Sequence, residues 1–220
     1  MDRVIPIITN NLDEYASGLL VTLRLVGISF VVAMVVGTLV ASLRITPARP
    51  LNWIGAFYVE SFRNVPLLVL AIIFSAGLSR AGLPLGKMSA ASAALGLYTA
   101  SYIAESIRSG VSAVGKGQIE ASLSLGFTYG QTMRQVILPQ AFRTVIPPIG
   151  NLIIAMIKNS AIVAGSLIAL DDILKVARVV NSRTFATNES FFWAGVGYLL
   201  LTIPATIIVR RLEKRFAIRR

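Results

Sequence analysis

The chain has 220 residues, of which 55% are hydrophobic and only 14% charged, with a mean hydropathy of +0.73. An ordinary soluble domain carries about 25% charged residues, so lipid is the expected solvent for much of this surface. Cysteine and histidine are absent, which excludes disulfides, thiol chemistry, a structural zinc site and a histidine-based triad.

The formal net charge is +11. Its placement argues against a nucleic-acid partner. Arg210, Arg211, Lys214, Arg215, Arg219 and Arg220 crowd the C-terminal end directly after an apolar stretch. That is the layout of a cytoplasmic membrane anchor, where basic residues stay behind and meet anionic headgroups. The N-terminus, with Asp2, Asp13 and Glu14, lacks the basic region and cleavage site of a signal peptide.

Five apolar stretches are long enough to span a bilayer, which takes about 20 helical residues. They cover residues 16–43, 51–79, 89–108, 144–170 and 190–209. The third is rich in alanine and less hydrophobic. Pro66 lies inside the second and predicts a kink, and Pro147 and Pro148 are expected to open the fourth. With the N-terminus outside, the inner segments hold Arg44, Arg49, Arg108, Lys116, Arg134, Arg143 and the six tail residues. The outer segments hold Arg3, Arg80, Lys87, Lys175, Arg178 and Arg183. This twofold bias favours an N-out, C-in topology. The expectation is one all-α membrane domain over residues 1–220, with about five transmembrane helices.

The connection over residues 110–143 is too polar to span and too patterned to be disordered. Ile119, Leu123 and Phe127 recur at i, i+4 and i+8, which predicts a helix with one apolar face. Gly115 and Gly117 precede that helix and Gly126 marks its end. Thr128 is a candidate cap for a second short helix through Val136, ended by Pro139. Two short helices are therefore expected on the cytoplasmic face. Simple packing against the bundle is the plainer reading of such a loop.

Within it the sequence reads Gln118-Ile119-Glu120-Ala121-Ser122-Leu123-Ser124-Leu125-Gly126, then Ile137-Leu138-Pro139-Gln140-Ala141. This resembles the EAA loop of ABC importer permeases, with Ser122 where the pattern has a third small residue, Ala. Ser61-Phe62-Arg63-Asn64-Val65-Pro66-Leu67-Leu68, the segment from Tyr98 to Arg108, and Pro147-Pro148-Ile149-Gly150-Asn151 leading to Lys158-Asn159-Ser160 are similar to the polar amino-acid branch of that family. The resemblance runs from about Gly18 to the C-terminus.

The resemblance implies a type I importer fold and a dimer of membrane subunits, identical or paralogous. It also implies a cytoplasmic ABC ATPase dimer and an extracytoplasmic amino-acid-binding protein, in a bacterial cytoplasmic membrane. Glu120, Ala121, Ser122, Gly126, Ile137, Leu138 and Pro139 would couple the chain to the ATPase. The small side chains of Ala121, Ser122 and Gly126 would let a partner approach the backbone, and Glu120 would add charge-assisted hydrogen bonds. No cofactor is expected on this chain. ATP and Mg belong to the partner, because Gly82-Leu83-Pro84-Leu85-Gly86-Lys87-Met88-Ser89 fails as a P-loop: three residues separate the glycines and Met follows the lysine. It reads as a turn. No metal site is expected.

Charges at membrane depth cost roughly 2.5–3.5 kcal/mol each by insertion scales, so those present need a reason. Arg63, Asn64, Tyr98, Tyr102, Glu105, Lys158, Asn159 and Ser160 form the candidate substrate path. Two readings stand side by side. The polar groups hold an amino acid's ammonium and carboxylate, or they pair as Glu60–Arg63 and as Glu105 with Lys158 or Arg108 to fix helix packing. Arg24 is expected to snorkel to headgroups. Lys158 and Arg63 without a facing carboxylate slightly favour glutamate or glutamine over a basic substrate. The competing function is half of an ion-gradient-driven secondary transporter, which would place broken helices at the midplane but has no use for an EAA-like loop. An intramembrane enzyme has no His, Cys or metal cluster to work with.

Overall fold

A computed structural model describes residues 4–216; Asp2, Arg3, Arg219 and Arg220, which entered the sequence readings above, lie outside them. The described residues are helical apart from short connections, with no strand among them. Nine helices follow in order: α1 (Val4–Asn10), α2 (Leu12–Ile45), α3 (Arg49–Arg63), α4 (Leu67–Arg80), α5 (Lys87–Ser112), α6 (Lys116–Ser124), α7 (Tyr129–Ala164), α8 (Ile173–Thr184) and α9 (Thr187–Phe216). Three of them, α2, α7 and α9, are long and apolar enough to cross a membrane. The pair α3 and α4 makes a fourth if the two count as one span, bent by 98°.

The bend follows from Pro66. Asn64 caps α3 through its N–H to the Glu60 carbonyl, and Pro66 then opens α4 in an extended conformation (φ −57°, ψ 137°). Proline offers no N–H and pushes the preceding residue out of the helical region. The expected kink is thus a complete break. The bent pair reverses the chain, so α2 and α5 run parallel, with Gly37 of α2 beside Ala100 and Ile103 and Ser29 and Val32 beside Gly96.

Helix α5 is long, about 39 Å at 1.5 Å per residue, yet it does not pass as a span on hydropathy. Its position explains this. Ala90, Ala91, Ala94, Leu95, Ala100, Ile103 and Ala104 are all at most 1% exposed. A helix enclosed by other helices needs small residues more than greasy ones. Helix α2 buries small residues (Gly18, Thr22, Ser29, Ala33, Gly37, Ala41) along with Tyr15, Leu25, Val26 and Val40, and its open face carries the large Leu23, Val31, Val35 and Leu39. Arg24 is exposed on that open face.

Two expectations for the fourth span are corrected. Pro139 does not end a helix, and Pro147 and Pro148 do not begin one. A single helix, α7, runs through all three prolines. A π-helical turn at Met133–Ile137 precedes Pro139 and loosens the backbone where the ring would meet the carbonyl four residues back. The span also stops at Ala164, short of Leu170.

At the end of the bundle holding the N-terminus, α8 seals the top. Asp172 is fully buried and caps α8 by accepting from the Lys175 N–H (2.9 Å), while the Tyr198 hydroxyl donates to it at 3.2 Å. Burial pushes its carboxyl above the usual range against those hydrogen bonds. Asp171 beside it is held low by the Lys175 ammonium. Tyr15 donates to the Ser190 carbonyl (2.9 Å), Trp193 to the Val4 carbonyl (2.7 Å), and Arg183 pairs with Glu14. The segment 82–89 is a turn and a helix start, with Gly82 at φ +80° and Gly86 as N-cap of α5.

Two outcomes test this packing. A Cβ on Gly37 would lie 2.8 Å from Ile103 Cγ2 and 2.9 Å from the Ala100 carbonyl, so Gly37→Leu forces α2 and α5 apart. It should cost about 1–3 kcal/mol or more and abolish a monodisperse peak in detergent gel filtration. Asp172→Ala removes the α8 cap and should cost about 0.5–2 kcal/mol, read as a lower Tm in detergent.

Candidate functional site

Two sites emerge. The first is the polar connection between α5 and α7. Helix α6 ends at a left-handed Gly126 (φ +85°), where the Gly126 N–H donates to the Leu123 carbonyl (2.9 Å) and the Phe127 N–H to the Ser122 carbonyl (3.1 Å). This is the glycine stop anticipated from the sequence. Thr128 caps α7 in a reciprocal box with Gln131, its hydroxyl accepting from the Gln131 N–H and its own N–H donating to Gln131 Oε1 (2.8 Å).

The two short helices expected here are one short helix and the first turns of a long one. Glu120 and Ala121 are exposed and unpaired among the described residues, as a docking surface requires. Ser122 is not part of that surface. It is 4% exposed, and its hydroxyl lies 2.8 Å from the Ile119 carbonyl and 2.9 Å from Thr132 Oγ1. Its departure from alanine therefore ties α6 to α7.

Ile137 is buried and packs with Val114 and Ala141, and Ile119 packs against that cluster. Leu138 and Pro139 are exposed. The predicted apolar face is only partly realised, because Leu123 is half-exposed and Phe127 lies beyond the helix. Sequence reasoning missed Leu125 (78% exposed) and Tyr129, two large side chains that project from the loop. No periodicity marks them, since they flank the chain reversal at Gly126.

The second site is an open polar groove of about 550 Å³ between α3, α5 and α7. Arg63, Tyr102 and Glu105 line it, joined by Ser106, Thr144 and Asn151. The Arg63 guanidinium sits over the Tyr102 ring, 5.1 Å from its centroid. The hydroxyls of Tyr98 and Tyr102 are 3.0 Å apart. The expected Glu60–Arg63 pair is absent from the ion pairs among the described residues. Glu60 accepts instead from the Asn64 side chain at 3.0 Å, and both are exposed. Asn64 sits at the break itself, where its N–H and side-chain amide both serve the Glu60 carbonyl.

Glu105 has a different partner set from the one expected in part. Arg108 binds it from the same helix at 2.5 Å, and Arg44, at the end of α2, reaches it at 2.6 Å. Lys158 does not. Lys158 is exposed, Asn159 half-buried, and Ser160 buried with its hydroxyl on the Ile157 carbonyl (2.7 Å). Thr144, Pro148, Asn151 and Asn159 share one face of α7 by their spacing, so Asn159 continues the groove's face two turns beyond Asn151. Ser160 does not. Thr144 and Asn151 were missed, although the i, i+4, i+7 run with Pro148 was readable. No cluster of three or more acidic, His or Cys side chains suited to a metal occurs among the described residues.

Residues 19–218 match the model of the binding-protein-dependent transport system inner membrane component. The chain belongs to that family. A probable glutamine ABC transporter permease protein, GlnM, of Bacillus subtilis is 43% identical over 96% of this chain and 97% of its own length. The arginine transport system permease protein ArtQ of the same organism is 36% identical over 90% of each. Among solved structures, an amino acid ABC transporter crystallised with histidines superposes with a TM-score of 0.89 at 31% identity, covering 94% of this chain and 96% of that one. The MetNI methionine ABC transporter shares the fold at a TM-score of 0.62 and 21% identity.

The Ser122–Thr132 link gives a local test in this family member. Ser122→Ala strands the fully buried Thr132 hydroxyl and should cost about 1 kcal/mol. Faster amide exchange in α6, measured by mass spectrometry, with unchanged exchange in α5, is the expected result.

Proposed function

We propose that the chain is the membrane-spanning permease of an ATP-driven importer for a polar amino acid, with glutamate or glutamine preferred. It works as one of a pair of permease subunits, identical or paralogous, in a bacterial cytoplasmic membrane. A cytoplasmic ABC ATPase dimer binds ATP and Mg, and an extracytoplasmic binding protein delivers the substrate. The N-terminus lies outside and the arginine-rich C-terminus inside, in line with the charge bias between the connections. The chain itself carries no ATPase site.

The observation that carries the reading is the exposed Glu120–Ala121 helix held in place by the Gly126 stop and the Ser122–Thr132 link. Family membership and the identity to amino-acid permeases support the rest. The break at Pro66 resembles the interrupted helices of secondary transporters, but the family match leaves that reading without support.

The groove's charge supports the substrate class. Glu105 is neutralised by Arg44 and Arg108. Arg63 has no carboxylate partner among the described residues and lines the groove. A substrate carboxylate would find Arg63 together with Asn151, with Asn64 beside the break and Tyr98 behind Tyr102. Further along α7, Lys158 and Asn159 would meet it nearer the outer end. Ser160 is a packing residue in this scheme.

The decisive experiment combines co-purification with uptake. The tagged chain, purified in mild detergent from its native host, should bring down an ATPase carrying a P-loop, and Glu120→Lys should release it. In proteoliposomes with its partners, Arg63→Ala should lower glutamate or glutamine uptake about tenfold, equivalent to ~1.4 kcal/mol, while leaving the ATPase bound. Wild-type uptake by Glu120→Lys would defeat the coupling role.

A further inference from the structure

Helix α7 borders two hollows of opposite character. Thr144, Pro148 and Asn151 face the polar groove. Ile149 and Ile153, on the other side, face an open cleft of about 750 Å³ between α2, α5, α7 and α9. Met34 of α2 and Ile208 of α9 form its flanking walls, and Thr38 is the one lining side chain with a hydroxyl, amide or charge. An amino acid would lose every hydrogen bond on entering it. At membrane depth a hollow this size is filled, because unfilled walls lose their dispersion contacts.

One end of the cleft is strongly basic. Its lining reaches Phe142 of α7 and Leu212 of α9, where Phe142 meets Phe216 edge-on at 6.1 Å. Arg143, next in sequence to the lining Phe142, and Arg211 and Arg215, either side of the lining Leu212, are exposed, as is Arg134 one turn before the lining Leu138. None of the four ion pairs among the described residues uses them. Arg211 follows the lining Ile208 by three residues and Arg215 follows Leu212 by three, so both flank the lining face. An apolar trough flanked in sequence by guanidinium groups that make no ion pair among the described residues is complementary to one kind of molecule.

We propose that this cleft seats an acyl chain of an anionic phospholipid whose phosphate rests among Arg143, Arg211 and Arg215. Guanidinium groups suit phosphate through paired, charge-assisted hydrogen bonds. Basic pockets between membrane helices bind anionic headgroups in this manner. A second copy of the chain fits less well, since a twofold partner on this face would press its own arginine-rich end against this one. The site is separate from the polar groove, and it backs the helix that carries the docking loop.

The test uses the chain with its co-purified partners in lipid nanodiscs, with photoactivatable acyl-chain probes of phosphatidylglycerol and phosphatidylcholine in equal amounts. Labelling at Ile149, Ile153 and Ile208 should favour phosphatidylglycerol by roughly fivefold for each arginine engaged. Val31 and Val35, on the open face of α2, should show no comparable preference. Arg143→Gln with Arg215→Gln should cut the preference to roughly the fivefold that Arg211 alone supplies, and Ala205→Phe should reduce labelling of the cleft by both probes. If Ala205→Phe does not remain monodisperse, the double arginine variant decides, because both side chains are exposed and support no packing. Equal labelling by the two headgroups in the wild type would overturn the proposal and leave only bulk lipid there. So would efficient maleimide cross-linking between two copies through Ile208→Cys, clean in a chain without other cysteines, since protein would then fill the cleft.

Discussion

The close approach of α2 and α5 is the constraint on which the other elements depend. Lipid tails are as apolar as leucine, so helices in a membrane gain little from hiding greasy side chains against each other. What remains is contact at short range, and small residues provide it. Gly37 lies against Ala100 and Ile103, and Gly96 lies against Val32. With α2 and α5 locked in parallel, the intervening α3–α4 pair must return the chain across the bundle, and α7 must run antiparallel to α5. The polar groove exists because α3 breaks off at Pro66 and leaves one side of the α5–α7 pair uncovered.

The same framework explains how charge is tolerated beside the groove. Glu105 would be costly alone at this depth. Arg108 supplies a partner from the following turn of the same helix, and Arg44 supplies another from the end of α2. Two arginines against one carboxylate leave the region net positive, and Arg63 adds a further positive group held by the Tyr102 ring. The aromatic ring places that cation without cancelling it, unlike a carboxylate partner. A positive groove is thereby built from residues that also fix α2, α3 and α5 relative to one another.

Local features were legible in the sequence where local chemistry decides the outcome. Gly126 and Thr128 announce a helix stop and a cap, and both take those roles. Pro66 announces a kink, and the structure has a full break there with a 98° turn. Pro139, Pro147 and Pro148 misled in the other direction, since α7 runs through all three, with a π-helical turn at Met133–Ile137 ahead of Pro139. Partners distant in sequence were illegible. Nothing near Arg44 points to Glu105, 61 positions away, and nothing near Ser122 shows that its hydroxyl turns inward to Thr132. Helix α8 entered the sequence reading only as part of an outer segment, and the apolar positions Ile173, Val176, Ala177 and Val180 that it buries went unread.

The continuity of α7 turns it into a beam with a fulcrum. Val145 packs directly onto Gly110 of α5, where an added Cβ would overlap Val145 Cγ2. From Tyr129 to that point the helix measures about 24 Å, and from there to Asn159 about 21 Å at 1.5 Å per residue. The two arms are nearly equal, so were α7 to tilt as one body about this contact, its Tyr129 and Asn159 ends would swing by similar amounts in opposite directions. Thr144 and Pro148 sit beside that contact and would move least. A stroke delivered at the loop would thus leave the middle of the groove intact while swinging its far rim.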